Sequence, residues 1–186
     1  MIYVTSDTHF GHDKDFLYAP RGFSSIEEHD AAIIEKWNSI VKPDDTVYHL
    51  GDVMLGDNES GIQKLEKLNG QFYIILGNHD TVARQELYLW AKNVNGIEFG
   101  QPLKYKKFRF FLSHYPTLCS NTDDGKNLRE HVINLCGHSH TQDRFKDWGT
   151  NLIYHCELDA HDCTPVSLDE IIEDCRGRFY AEFNEG

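Results

Sequence analysis

Five short polar tips, each at the end of an apolar run, carry most of the side chains in this chain that could do chemistry. Asp7-Thr8-His9 follows Ile2-Tyr3-Val4, and Gly51-Asp52 follows Thr46-Val47-Tyr48-His49-Leu50. Gly77-Asn78-His79-Asp80 follows Phe72-Tyr73-Ile74-Ile75-Leu76, and His114 ends Phe110-Phe111-Leu112-Ser113. Gly137-His138-Ser139-His140 follows Val132-Ile133-Asn134-Leu135-Cys136. Such runs read as buried strands, and α/β sheets place their sites just beyond the carboxyl ends of strands. Asp7, His9, Asp52, Asn78, His114, His138 and His140 offer carboxylate, amide and imidazole donors and no thiol. That set suits divalent manganese first, with iron, zinc or nickel as alternatives, rather than a thiolate-rich structural zinc site. Seven donors are too many for one catalytic ion that keeps an open position. They fit two ions if one carboxylate bridges, and Asp52, alone on its tip, is the natural bridge.

Two clusters are pairs at i and i+2, Asp7/His9 and His138/His140, which in extended chain project to the same side. Two cations roughly 3.5–4 Å apart can lower the pKa of a shared water and hold both oxygens of an in-line displacement. That chemistry is phosphoester hydrolysis. His79, beside Asn78 but pointing elsewhere, is placed to protonate the leaving oxygen or to stabilise charge on the equatorial oxygens. His12 and Arg21 are candidate substrate contacts, since Arg suits bidentate phosphate binding. Asp80 reads as a cap for the following helix rather than a partner of His79. His49 reads as a support behind the ligands. His155 follows a strand that could reach the site, while His29, His131 and His161 have simple structural places.

The elements that must position these tips can be read in outline. Met1 to Ser6 is a strand. Gly11 to Phe23 is loop with one helical turn. Ser25-Ile26-Glu27-Glu28 is a capping box opening a helix, with Ile26, Ile33, Trp37 and Ile40 at helical spacing. Gly61 to Leu68 and Val82 to Lys92 read as helices, and the pattern changes from Ile97. Residues 103–110 alternate as a hairpin with one wet face. Asn121 to Lys126 is polar loop, Lys126 to His131 a helical turn, and Asn151 to Tyr154 a short strand. Ser167 and Glu170 box the start of a short helix, and Phe179 to Phe183 read as a final edge strand.

Composition narrows the class. The 186 residues fit one domain, 1–186, long enough to bury a core. Formal charge is −12 with His neutral. That argues against a stable complex with long nucleic acid or an anionic membrane, but not against a small phosphorylated substrate. Five cysteines without CxxC spacing predict reduced thiols. With no signal segment and no membrane-length apolar run, the expectation is a soluble cytoplasmic protein. The oligomeric state is left open.

In this order, DxH, GD, GNHD, a lone His and GHxH resemble the signature of the calcineurin-like metallophosphoesterase superfamily, over Asp7 to His140. The opening Ser6-Asp7-Thr8-His9-Phe10-Gly11-His12 and the Pro165-Val166-Ser167 tail resemble a small single-domain bacterial or phage branch. The resemblance implies an α/β fold: a four-layer α/β/β/α sandwich of two mixed β-sheets flanked by helices. It implies Asp7, His9, Asp52 and His140 around one metal, and Asp52, Asn78, His114 and His138 around the other. His79 matches the family's catalytic histidine. The expected activity is a binuclear metal-dependent phosphodiesterase or phosphomonoesterase on a small phosphoester such as a nucleotide. The alternatives are a nuclease acting on DNA or RNA ends, or a non-catalytic scaffold of the same fold. Charge and the lack of a basic, aromatic-lined stripe argue against the nuclease. Retention of His79 and every ligand position argues against the scaffold.

Overall fold

The structure, a computed structural model, describes residues 1–119 and 127–184. The polar loop expected at 121–126 therefore lies outside the described residues. Two mixed sheets form the frame. In the first, β1 (Ile2–Thr5), β2 (Thr46–His49), β3 (Gln71–Ile75) and β4 (Val94–Glu98) run parallel, and β9 (Val166–Ser167) joins β1 antiparallel, in the order β4-β3-β2-β1-β9. In the second, β5 (Gln101–Tyr105) and β6 (Phe108–Leu112) form a hairpin. There β7 (Val132–Cys136) and β8 (Ile153–His155) extend it in parallel, in the order β5-β6-β7-β8. The helices are α1 (Asp15–Tyr18), α2 (Ile26–Ile40), α3 (Asn58–Leu65), α4 (Val82–Trp90) and α5 (Leu168–Asn184).

Alternation along β1 to β3 explains why these strands are apolar almost throughout. Tyr3, Val47, Phe72 and Ile74 pack with Ile33 and Trp37 of α2, Leu65 of α3 and Tyr88 of α4. Their neighbours Val4, Tyr48 and Ile75 face Phe108, Phe110, Leu112, Ile133, Leu135 and Tyr154 of the other sheet. Strands buried on both faces have no wet side to mark with polar residues. Beyond the carboxyl ends of β1 and β8 the two sheets are tied by a parallel bridge between Ser6 and Glu157. The tips that follow β1, β2, β3, β6 and β7 gather at this seam.

Several expectations change in detail. The edge strand expected at Phe179 to Phe183 is helix: α5 runs 17 residues to Asn184. Leu168, Ile171, Ile172, Cys175 and Phe179 recur at helical spacing and are all buried, so one apolar stripe carries the helix onward. Ser167 and Glu170 do close a box, with Glu170 N donating to Ser167 Oγ at 3.2 Å and Ser167 N to Glu170 Oε2 at 3.3 Å. At α2 the box is half formed. Glu28 N donates to Ser25 Oγ at 3.2 Å, but the Glu28 carboxylate accepts from Ser24 N instead. The third helix begins at Asn58, earlier than Gly61, because the Asp57 carboxylate accepts from Ser60 N at 2.8 Å. β4 was unforeseen: Asn95 and Gly96 interrupt its pattern, and it sits on a sheet edge with a register shift against β3.

Candidate metal centre

The tips reach their positions through unusual backbone. Asp7, His9, Asp52, His138 and His140 all have positive φ, at 58°, 49°, 57°, 73° and 48°. The i, i+2 pairs are therefore not extended, as their spacing suggested. Each residue turns the chain in the left-handed region, which Asp, Asn and His enter more readily than other side chains. Strain of this kind persists only where the surroundings impose it, and it concentrates at functional sites. The glycines at these tips leave the carboxylates room. A Cβ on Gly77 would collide with Asp52 Oδ1, and one on Gly137 with Ser6 Oγ and Asp7 Oδ2.

The donors converge. Asp7 is fully buried, and its Oδ2 accepts from Ser6 Oγ at 2.5 Å and His138 N at 2.9 Å. Its Oδ1 has no hydrogen-bond partner and lies 3.6 Å from His9 Nε2 and 3.7 Å from His140 Nε2. Those two imidazole nitrogens are 3.1 Å apart. Asp52 Oδ1 accepts from His79 N at 2.8 Å. Asp52 Oδ2 stands between the two halves of the cluster, 3.7 Å from His9 Nε2 and 3.6 Å from His114 Nε2. His114 Nε2 in turn is 2.9 Å from Asn78 Oδ1 and 3.2 Å from His138 Nδ1. Two groups, Asp7/His9/His140 and Asp7/Asp52/His114, each bring one ligand atom per residue within 4.8 Å of the others.

The chemistry of this arrangement fits cations. His114 Nδ1 lies 2.8 Å from Leu50 O. A carbonyl only accepts, so Nδ1 carries a proton, which leaves Nε2 as the nitrogen able to offer a lone pair to a cation. That lone pair faces the Asn78 amide oxygen, and Asp7 Oδ1, unpartnered and buried, faces two further imidazole nitrogens. Donor atoms this close, in a low-dielectric pocket, are stabilised by positive charge among them, from bound cations or, without these, from protonated imidazoles. Separations of 3.6–3.7 Å exceed a hydrogen bond but suit donors about 2.0–2.2 Å from a common ion. Burial pushes the Asp7 carboxyl up, yet a hydrogen bond and positive charge from His9, with charge from His140 and His114, outweigh it when those imidazoles are protonated and hold the group below the usual carboxylate range.

The surrounding residues sort differently from the sequence reading. Arg21 is not placed to meet substrate. Its side chain is 1% exposed and donates inward, to Asp159 from Nε at 3.0 Å and Nη2 at 2.7 Å, and to Asp7 O at 2.8 Å. Asp159, which no motif marked, lies 3.0 Å from His140 Nδ1. Accepting from that nitrogen, it leaves Nε2 to face Asp7 and His9, as carboxylates behind metal-binding histidines do. Burial raises the Asp159 carboxyl, but hydrogen bonds from His140 and Arg21 prevail and lower it to about 2. Only the coming together of residues 21, 140 and 159 reveals this, and sequence separation hides it.

Asp80 does not cap α4, whose N-cap Thr81 makes no side-chain capping bond. Its carboxylate accepts from Asp52 N and Gly77 N, both at 2.8 Å, and from Tyr88 OH at 2.7 Å. It thus clamps two tips together. His49 is buried behind Thr8, 3.0 Å from its Oγ1, which donates to Val53 O at 2.8 Å. Burial lowers its pKa to about 4, so the ring is a neutral prop. His155 is held between Asp147 and Glu157, at 2.8 and 3.1 Å, and does not reach the cluster. His29 lies between Asp30, at 2.8 Å, and Arg21, at 3.0 Å. His12 does sit at the rim, its ring 5.5 Å from that of His9. The His79 side chain is 40% exposed, with Nε2 4.0 Å from Asp52 Oδ2.

Comparison with known proteins agrees with this geometry. The family model described as calcineurin-like phosphoesterase superfamily domain matches residues 1–161. An uncharacterized protein of Methanocaldococcus jannaschii is 36% identical over 120 residues, covering 62% of this chain. The match spans 58% of that relative's length. A protein of unknown function from Aquifex aeolicus, AQ665, superposes with a TM-score of 0.66 at 23% identity, over 93% of this chain and 98% of that one. An archaeal phosphodiesterase superposes with a TM-score of 0.50 at 20% identity, over 86% of each chain. At such identities the structural likenesses concern the fold.

Proposed function

The chain belongs to the calcineurin-like phosphoesterase superfamily, and from that premise we propose that it is a metal-dependent phosphoric ester hydrolase. Its substrate is a small phosphodiester or phosphomonoester. The observation that carries this reading is the convergence of carboxylate, amide and imidazole donors from five separate tips. Asp7, His9, Asp52 and His140 would hold one cation, and Asp52, Asn78, His114 and His138 a second. Manganese is the cation expected, and iron, zinc or nickel also suit a set that mixes oxygen donors with imidazoles. When bound, such a pair supplies Lewis-acid stabilisation and makes water a nucleophile at neutral pH.

The chain's own residues do the rest. Asp80 fixes Asp52, Asp159 fixes His140, and Leu50 O fixes His114, so the donors need little rearrangement on binding. His79 is pinned through its backbone, with N donating to Asp52 and O accepting from Arg84 Nη1. Its ring remains at the open rim, where it can give a proton to the leaving oxygen. His12, also at the rim, is the candidate contact for a phosphoryl oxygen.

Purified protein given manganese should hydrolyse bis-p-nitrophenyl phosphate or p-nitrophenyl phosphate and stop when EDTA is added. Turnover that continues unchanged in excess chelator would end the metal-dependent reading.

A further inference from the structure

Two exposed aromatic side chains stand at opposite ends of the donor cluster. Tyr115 directly follows His114 and is 50% exposed. Its ring centroid lies 5.0 Å from that of His114 and 4.7 Å from that of His138, both edge-on. Phe16 of α1 is 73% exposed and lies edge-on to His12 at 5.5 Å. His12 in turn is 5.5 Å from His9. One aromatic ring thus borders the His114/His138 half of the cluster, and the other is reached through His12 from the Asp7/His9/His140 half.

A lone exposed aromatic elsewhere on a surface needs no explanation. Tyr115 differs because its loop is braced from within. Ser113 Oγ and Thr117 Oγ1 both donate to Tyr115 O, at 2.7 and 2.8 Å. Fully buried Asn134 accepts from Thr117 N at 2.7 Å and donates to Ser113 Oγ at 2.8 Å and Phe111 O at 2.9 Å. The ring is exposed on a braced backbone and packs edge-on against His114 and His138, at the edge of a site for an anion. Rigid aromatic platforms beside a phosphate site take planar rings by stacking, with little loss of side-chain freedom.

We infer that Tyr115 forms a stacking subsite for a planar aromatic substituent of the phosphoester. A nucleobase is the chemical class that fits. The subsite rests on the phosphoester hydrolase reading of the adjacent cluster. With a formal charge of −12, the surface disfavours long polyanions, so the ligand is a small nucleotide rather than a nucleic-acid chain.

Adenosine 5′-monophosphate and ribose 5-phosphate differ only in the base, so their affinities for the manganese-loaded protein, measured by calorimetry, isolate its contribution. The nucleotide should bind at least about tenfold more tightly, as stacking of one base supplies. In Tyr115→Ala that ratio should fall below about threefold, while Tyr115→Phe, which keeps the ring, should retain it. Equal affinities in the unaltered protein, or an unchanged ratio in Tyr115→Ala, overturn the subsite while leaving the hydrolase reading intact. Failure of the manganese-loaded protein to hydrolyse either bis-p-nitrophenyl phosphate or p-nitrophenyl phosphate overturns the hydrolase reading, and the subsite with it.

Discussion

Asp159 shows how much of the centre lies in residues that bind nothing themselves. It joins Arg21 to His140 and decides which imidazole nitrogen faces the cluster. Asp159→Asn should lower manganese affinity about 10–100-fold, read by calorimetry on the protein itself. The same carboxyl, lowered to about 2 from the ordinary aspartate value of 3.8, links stability to acid. Its folded pKa is below its unfolded one, so its contribution is complete above about pH 4 and lost as pH falls through about 2. The stability gap between the native protein and Asp159→Asn, measured by denaturant titration with metal removed, should therefore shrink from pH 5 to pH 2. At His79 the expectation is different. His79→Ala should cut turnover of p-nitrophenyl esters by about 10²–10⁴-fold, while mass-spectrometric metal content stays that of the native protein. Loss of metal in that variant would make His79 a ligand.

The tips were legible because each is a short polar string at the end of an apolar strand, and both halves of that pattern survive in the linear sequence. Their backbone was not. Nothing in the spacing of Asp7 and His9 shows that both are left-handed, because the turn is held by contacts distant in sequence, with Asp7 N donating to Gly51 O and His9 N to Asp52 O, both at 3.0 Å. The glycines at these tips carry the clearest consequence. Gly137→Ala would drive a methyl group into Ser6 Oγ and the Asp7 carboxylate, and overpacking of this kind costs about 1–3 kcal/mol. The variant should melt earlier and bind less manganese, by differential scanning calorimetry and metal analysis. The capping box at Ser167 is legible in the sequence, whereas the length of the helix it opens is not, since local signals mark where a helix starts better than where packing lets it run. The strand β4 escaped for the opposite reason: an edge position tolerates Asn95 and Gly96, which a central strand would not.

The architecture as a whole joins two sheets whose carboxyl ends meet at one seam, so donors distant in sequence share one pocket. That convergence depends on long-range contacts and was accessible beforehand only through the ordered motifs from Asp7 to His140. No helix among the described residues is long and apolar enough to cross a membrane. Four of the five thiols, Cys136, Cys156, Cys163 and Cys175, are buried as small hydrophobic groups, and none is paired. A pocket of closely spaced donors also implies that cations stabilise the folded chain, by about 2.7 kcal/mol at a concentration 100-fold above Kd. Thermal melts should accordingly shift upward with manganese and return with chelator. The most direct measurement is the manganese content of the native protein and of Asp52→Asn, by mass spectrometry after equilibrium dialysis. Two ions per native chain, both weakened in the variant, is the result expected of a shared carboxylate. A single ion in the native chain, or a variant that keeps one ion at native affinity, would contradict it.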